Sequence, residues 1–181
     1  MRKIVSTLFV SLDGVVEAPD QWSLSYWNDE LEHAVGDGMA DADAMLLGRV
    51  TYEGFAEAWP GRTDDPGAEF MNNVPKYVAS TRLTETAWNN TTLLRGDLRE
   101  AIAELKSTDG GDIMTSGSTT LVQWLLAHGL VDELTLLQYP VVVGKGRRLF
   151  PDNGARLGFR LAGSRAFGNG VLRLVYRPAA D

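Results

Sequence analysis

The sequence predicts an α/β fold, a sandwich of helices around a mixed sheet that closes with an antiparallel hairpin. Two patterns predict it. Short apolar runs of strand length alternate with amphipathic runs of helix length, the arrangement in which helical crossovers make parallel strand pairs. The last two strand-like runs are separated only by the turn Phe167-Gly168-Asn169-Gly170, so they pair antiparallel. A bulk observation completes the case: 181 residues at 44% hydrophobic content support one substantial core and leave too little for a second, so one domain over 1–181 is expected.

The first run, Ile4 to Leu12, sets Ile4, Leu8, Val10 and Leu12 on one face and Val5, Thr7 and Phe9 on the other. That pattern predicts a central strand covered on both sides. Further strand-like runs are Ala44 to Leu47, Lys76 to Ser80, Thr91 to Leu94, Asp112 to Thr115 and Glu133 to Tyr139, and the closing pair is Gly158 to Arg165 and Val171 to Arg177. Asn169-Gly170 suits the hairpin because both residues tolerate positive φ. Helical periodicity runs from Asp29 to Ala40 through Leu31, Ala34, Val35 and Met39, and from Leu98 to Lys106 through Leu98, Ile102 and Leu105. A third helix, Thr119 to His128, carries Leu121, Val122, Trp124, Leu125 and Leu126 around most of its circumference, which predicts burial or a subunit contact.

Composition excludes several classes. Without cysteine there is no disulfide framework and no thiolate metal site, and His33 and His128 lack partners at ligand spacing, so no metal is expected. The run Ile113 to Val131 has the length of a membrane span and no Asp, Glu, Lys or Arg. Thr115, Ser116, Ser118, Thr119, Thr120, Gln123 and His128 make it too polar, and Gly117 and Gly129 divide it into strand, turn and helix, so no membrane partner is expected. The opening residues reach Asp13 without a small-residue cleavage site, and a cytoplasmic location is the expectation. A net charge of −7 repels nucleic acid and anionic lipid, so a phosphate-bearing ligand needs a local arrangement of donors.

Three segments supply such donors. In Asp112-Ile113-Met114-Thr115-Ser116-Gly117-Ser118-Thr119-Thr120-Leu121 a short strand, a small-residue turn and a helix start bring unpaired N–H groups and the positive end of a helix dipole to one point. Alone, it reads equally as a tight turn with Ser118 as N-cap. In Met45-Leu46-Leu47-Gly48-Arg49-Val50-Thr51-Tyr52-Glu53, Gly48 gives backbone access, Arg49 a guanidinium and Thr51 a donor near a short helix, although an isolated arginine is more often a plain surface residue. Ala79-Ser80-Thr81-Arg82 ends a strand in hydroxyls and a guanidinium suited to the 2′-phosphate that separates NADPH from NADH. The three are expected to converge on one crevice at strand ends. No Gly-x-Gly-x-x-Gly follows the first strand and no P-loop is present, which disfavours both of those nucleotide sites. The basic run Val141 to Phe150 reads as a strand connection at a rim or subunit interface.

The order Ser11-Leu12-Asp13-Gly14, Gly48-Arg49-Val50-Thr51-Tyr52-Glu53, Ser80-Thr81-Arg82, Gly117-Ser118-Thr119-Thr120-Leu121 and Val131-Asp132-Glu133-Leu134 resembles the bacterial dihydrofolate reductase-like proteins across nearly the whole chain. Pro140-Val141-Val142-Val143-Gly144-Lys145-Gly146 and Leu149-Phe150 make it more similar to the C-terminal reductase domain of the bifunctional riboflavin-biosynthesis deaminase/reductase, the RibD C-terminal domain. The resemblance implies a three-layer sandwich with a mixed, mostly parallel sheet of about eight strands, NADPH along its C-terminal edges, and often a homodimer. It implies that Gly48, Arg49, Val50 and Thr51 with Gly117, Ser118, Thr119, Thr120 and Leu121 hold the cofactor's phosphates. Ser80, Thr81 and Arg82 would then take its adenosine end, with Ser11 and Gly14 passing near the nicotinamide.

In dihydrofolate reductases a carboxylate on the first helix orients the pterin and helps protonation. Here Asp29 is the candidate donor and Asp13 the second, and each is equally a structural residue, Asp29 complementing a helix dipole and Asp13 preceding Gly14 in a turn. Trp22, Tyr26 and Trp27 are candidates to stack on a flat substrate, a role that competes with ordinary core packing. The function expected is NADPH-dependent reduction of a pyrimidine, pterin or related small heterocycle. The alternative is a non-catalytic NADP(H)-binding or sensor protein.

Overall fold

Strand and helix alternate in the order β1 (Ile4–Val10), α1 (Asp29–Ala40), β2 (Ala42–Gly48), α2 (Arg49–Ala58), α3 (Ala68–Asn73), β3 (Lys76–Ala79), β4 (Thr91–Leu94), α4 (Leu98–Ser107), β5 (Asp112–Thr115), α5 (Thr119–Ala127), β6 (Glu133–Gln138), β7 (Phe159–Ala166) and β8 (Leu172–Pro178). The computed structural model describes residues 1–65, 67–152, 154 and 156–179. Its eight strands form one sheet in the order β4-β3-β2-β5-β1-β6-β8-β7. β1 to β6 run parallel to one another, and β8 and β7 are added antiparallel.

The period of two along the strands splits the interior into layers. Ile4, Leu8 and Val10 of β1, Ala44 and Leu46 of β2 and Ile113 of β5 pack against Ile102 and Leu105 of α4 and Leu121, Val122 and Leu125 of α5. Met45 and Leu47 of β2 and Val78 of β3 point the other way, to Tyr52 of α2 and Met71 of α3. On the same side Leu31 of α1 packs with Leu137, Tyr139, Phe167 and Val171. The result is a three-layer α/β sandwich with a mixed, mostly parallel sheet. Among the described residues no helix is long and apolar enough to cross a membrane.

The structure departs from the sequence reading at several ends. β1 stops at Val10, because Ser11 accepts the Gly14 N–H into a turn and Gly14 takes φ +82°; Leu12 is accordingly exposed. In the β7–β8 hairpin only Gly170 has positive φ, so Asn169-Gly170 does not form the expected paired positive-φ turn. Gly170 N–H instead bonds to Phe167 O and Phe167 N–H to Val171 O, a three-residue loop whose glycine supplies the left-handed residue. Helix α3 carries no clear period in its six residues and was not expected. Residues Val141 to Phe150 form no regular strand; they lie along Ser11 to Glu17, with Leu12 N–H to Val141 O at 2.8 Å and Val16 N–H to Arg147 O at 3.0 Å.

Candidate functional site

The chain leaves β2 toward β3 on one side and leaves β5 toward β6 on the other. The C-terminal ends of β2 and β5 are therefore a topological switch point, where the two connections part and a crevice opens. Two glycines make the contact at its floor. Gly48 N–H donates to Gly117 O at 3.0 Å. A Cβ on Gly48 would lie 2.8 Å from the Ser118 nitrogen, and one on Gly117, whose φ is +146°, would lie 2.6 Å from Thr51 Oγ1. Neither position has room for a side chain. The peptide bond between Gly117 and Ser118 is cis.

Above this floor lies a cleft of about 720 Å³ lined by residues from the ends of β2, β3 and β4, the loops after them, and helices α2, α4 and α5. Gly48, Arg49, Val50, Ser80, Thr81, Arg82, Ser118, Thr120 and Leu121 all face it. Segments distant in sequence thus meet in one crevice. Helices α2 and α5 both begin here, and neither N-cap, Gly48 or Ser118, has a side chain bonded to the first-turn amides. Their N-terminal N–H groups and dipoles are left for another acceptor. α4 also starts at the cleft, but Asp97 caps it by accepting the Glu100 N–H at 2.9 Å.

Three guanidiniums border the cleft in different states. Arg49 is paired with Glu53 at 2.7 Å, one turn along α2. Arg95 donates to Leu83 O and Thr84 O, both at 3.0 Å, tying the end of β4 to the loop after β3. Arg82 is exposed and has no carboxylate partner among the described residues. Its loop is shaped by Ser80, whose Oγ accepts the Arg82 and Leu83 N–H groups at 3.1 and 3.0 Å. Ser80 is thereby first a loop former, with its own hydroxyl hydrogen left to donate.

Some expected residues lie elsewhere. Ser11, Gly14, Thr51, Gly117 and Thr119 do not line the cleft, although Thr51 and Gly117 shape its floor. Conversely Leu94, Arg95, Gly96, Leu98 and Trp124 line it without having been singled out. Leu94-Arg95-Gly96 repeats the signal used elsewhere, a strand end followed by arginine and glycine. Trp124 reads as one more apolar residue of its helix and gave no such signal.

The two carboxylates behave differently. Asp13 accepts the Ser11 hydroxyl at 2.6 Å, Val143 N–H at 3.1 Å and Gly144 N–H at 2.8 Å. These bonds, the Ser11 one foremost, hold its pKa down at about 2. An acid so held is ionised at neutral pH and clamps two loops. Asp29 is exposed in the first turn of α1. Trp22 and Tyr26 are half-buried against Tyr139, edge-on at 5.4 and 5.6 Å between ring centroids, and Trp27 lies 6.5 Å from Phe9. The aromatic group sits at the ends of β1 and β6, along the same sheet edge as the cleft but not lining it.

Two Bacillus subtilis (strain 168) proteins of uncharacterized function match nearly the whole chain: YyaP, 29% identical over 97% of this chain and 94% of its own, and YwjB, 30% identical over 94% and 95%. Among solved structures, a Shewanella sp. PV-4 protein provisionally assigned to riboflavin biosynthesis superposes with a TM-score of 0.80 at 21% identity, covering 98% of this chain and 99% of that one. The Thermotoga maritima diaminohydroxyphosphoribosylaminopyrimidine deaminase/5-amino-6-(5-phosphoribosylamino)uracil reductase gives 0.70 at 16%, with 98% of this chain on 57% of that one. Enterococcus faecalis dihydrofolate reductase, complexed with NADP(H), gives 0.66 at 11%, covering 98% and 97%. These structures share the fold. The profile of the RibD C-terminal domain matches residues 2–173, and the chain belongs to that family.

Proposed function

We propose that this protein is an NADPH-dependent reductase acting on a pyrimidine, pterin or related small heterocycle. The observation that carries the reading is the single cleft at the β2/β5 switch point, which gathers two uncapped helix starts with Arg49 and Arg82. Its volume, about 720 Å³, falls in the roughly 300–1,000 Å³ range of small-molecule sites, and its donors suit an anionic dinucleotide. In this reading the first-turn amides of α2 and α5 hold the diphosphate, and Arg49 exchanges Glu53 for a phosphate oxygen. Arg82, with Ser80 and Thr81 beside it, meets the 2′-phosphate. When bound, the reduced nicotinamide supplies a hydride to an electron-poor ring carbon. Asp29 is the carboxylate proposed to orient the ring and pass it a proton taken from water, and Asp13, bonded to the Ser11 hydroxyl and the Val143 and Gly144 amides, is the second candidate. The uracil reductase activity for which the Thermotoga protein is named and the NADP(H) bound to the Enterococcus one support both cofactor and substrate class.

The test pairs turnover with binding. NADPH oxidation is expected with one or more of a panel of uracil- and pterin-type heterocycles. Replacing Arg82 with Ala should weaken NADPH by about 1–3 kcal/mol more than NADH, as read by calorimetry; equal weakening of both would remove the 2′-phosphate assignment. A second reading, dinucleotide binding without turnover, draws on one observation: among the described residues no carboxylate lines the cleft. Tight NADPH binding with no heterocycle turned over, and no change on Asp29→Asn, would establish it.

A further inference from the structure

The face that α1 turns to the sheet changes character along its length. Leu31, Ala34 and Val35 pack with Phe9 and Leu137. Further on, the stripe reads Ala34, Asp37, Gly38 and Asp41, spaced i, i+3, i+4 and i+7, where a helix over a sheet ordinarily carries apolar side chains. A Cβ on Gly38 would meet nothing within 4 Å, so open space lies beside it. That space is a groove of about 80 Å³ between α1 and the sheet, reaching the first residues of β2, β5 and β6. It lies at the opposite end of those strands from the dinucleotide-type cleft.

Its floor is apolar and its rim acidic. Val5, Met114 and Leu137 supply the first, and Asp37, Asp41, Asp112 and Glu133 the second. Glu133 is paired with Arg177 at 2.9 Å, whereas the other three carboxylates have no ion-pair partner among the described residues. The crowding shows at Asp112: burial foremost, then the nearby Asp41, Glu133 and Asp132 carboxylates, raise its pKa against an opposing pull from Lys3. α1 ends here without a basic residue in its last turn, so the negative end of its dipole adds to the field. Arg173, at the β8 margin, makes no ion pair with the four. A second observation is independent of charge. Thr135 turns into the groove, because Leu134 and Leu136 take the other face of β6; it is 5% exposed, and its hydroxyl is bonded to no described residue. A valine would fill the same volume, so a hydroxyl kept there is explained by something that gives it a hydrogen bond.

We propose that this groove binds a short aliphatic diamine, its methylenes on Val5, Met114 and Leu137 and its ammonium groups shared between the unpaired carboxylates and the Thr135 hydroxyl. The carboxylates are spread along the groove, and among the described residues no three acidic groups converge to hold a metal ion, so an extended cation suits them better than a point charge. The volume, about 80 Å³, is well below the roughly 300–1,000 Å³ of drug-sized sites, which keeps the ligand small. The site is separate from the cleft, and the assignment stands whether or not the protein is a reductase.

The experiment titrates 1,4-diaminobutane into the full chain by calorimetry, with Mg²⁺ as the competing point charge, and compares wild type with Asp41→Asn, Thr135→Val and Glu57→Gln. Glu57 is exposed on α2 away from the groove and controls for the general attraction of an acidic protein for cations. The expected result is one diamine per chain, bound about tenfold more weakly by Asp41→Asn and by Thr135→Val and unchanged by Glu57→Gln. Asp41→Asn is also expected to melt no lower than wild type, because it relieves like-charge crowding. Absence of diamine binding to wild type overturns the proposal. Equal weakening by Glu57→Gln and Asp41→Asn also overturns it, since the attraction would then be diffuse. Unchanged affinity in Thr135→Val overturns the seat in the groove, and displacement of the diamine by an equal concentration of Mg²⁺ overturns the ligand class.

Discussion

Lys76 carries a charge into the interior and meets it there with acceptors. Its side chain is fully buried; Nζ donates to Val74 O, Asn72 O and Asn89 O at 2.9, 3.2 and 3.3 Å and sits 4.2 Å from the Trp88 ring centroid. Burial nonetheless pushes its pKa down from 10.5 to about 8. The folded state then releases the proton before the unfolded chain does, so between pH 8 and 10.5 the unfolded state binds more protons and stability rises with pH. Relative to Lys76→Met, the wild type should gain on the order of 1–3 kcal/mol across that window, as measured by urea unfolding at both ends. A difference between the two proteins that is flat with pH would mean that the three carbonyls offset the burial in full. No local pattern marks this lysine, since its cage comes from residues that only the fold brings near.

Between elements, the close contact of β2 with the start of α5 sets the cleft floor. Gly48→Ala forces a methyl group against the Ser118 backbone and should cost about 1–3 kcal/mol of stability by denaturant titration, with weakened dinucleotide binding. The positions of β2, β5 and their following helices were legible, because apolar periodicity, glycine and hydroxyl residues mark a strand end and a helix start within one short segment. The partners of those ends were not. Ser11 and Gly14 carry the same kind of signal as Gly48, yet their loop turns toward Val143 and Gly144, because β1 lies beyond β5 and the Asp13 carboxylate draws the loop there. Arg95 was missed for the converse reason: strand order puts the end of β4 next to that of β3. α3 escaped because six residues span too little helix to establish a period.

Across the whole molecule the sheet divides into a guarded centre and open margins. β1 and β5 have strands on both sides and helices over their faces, whereas β4 and β7 each have one neighbour, and β7 is largely exposed. Amide exchange should therefore be slowest in β1 and β5, at the rate of global unfolding, and faster in β4 and β7 through local opening. Comparable protection in β7 would mean that something covers that margin in solution. The cleft also has a property useful at the bench. Trp124 stands on its wall, stacked on His128 with ring centroids 4.1 Å apart. Indole emission overlaps the absorption of reduced nicotinamide, so the protein carries its own optical reporter: a dinucleotide seated there would dim this tryptophan by resonance transfer, without any added dye.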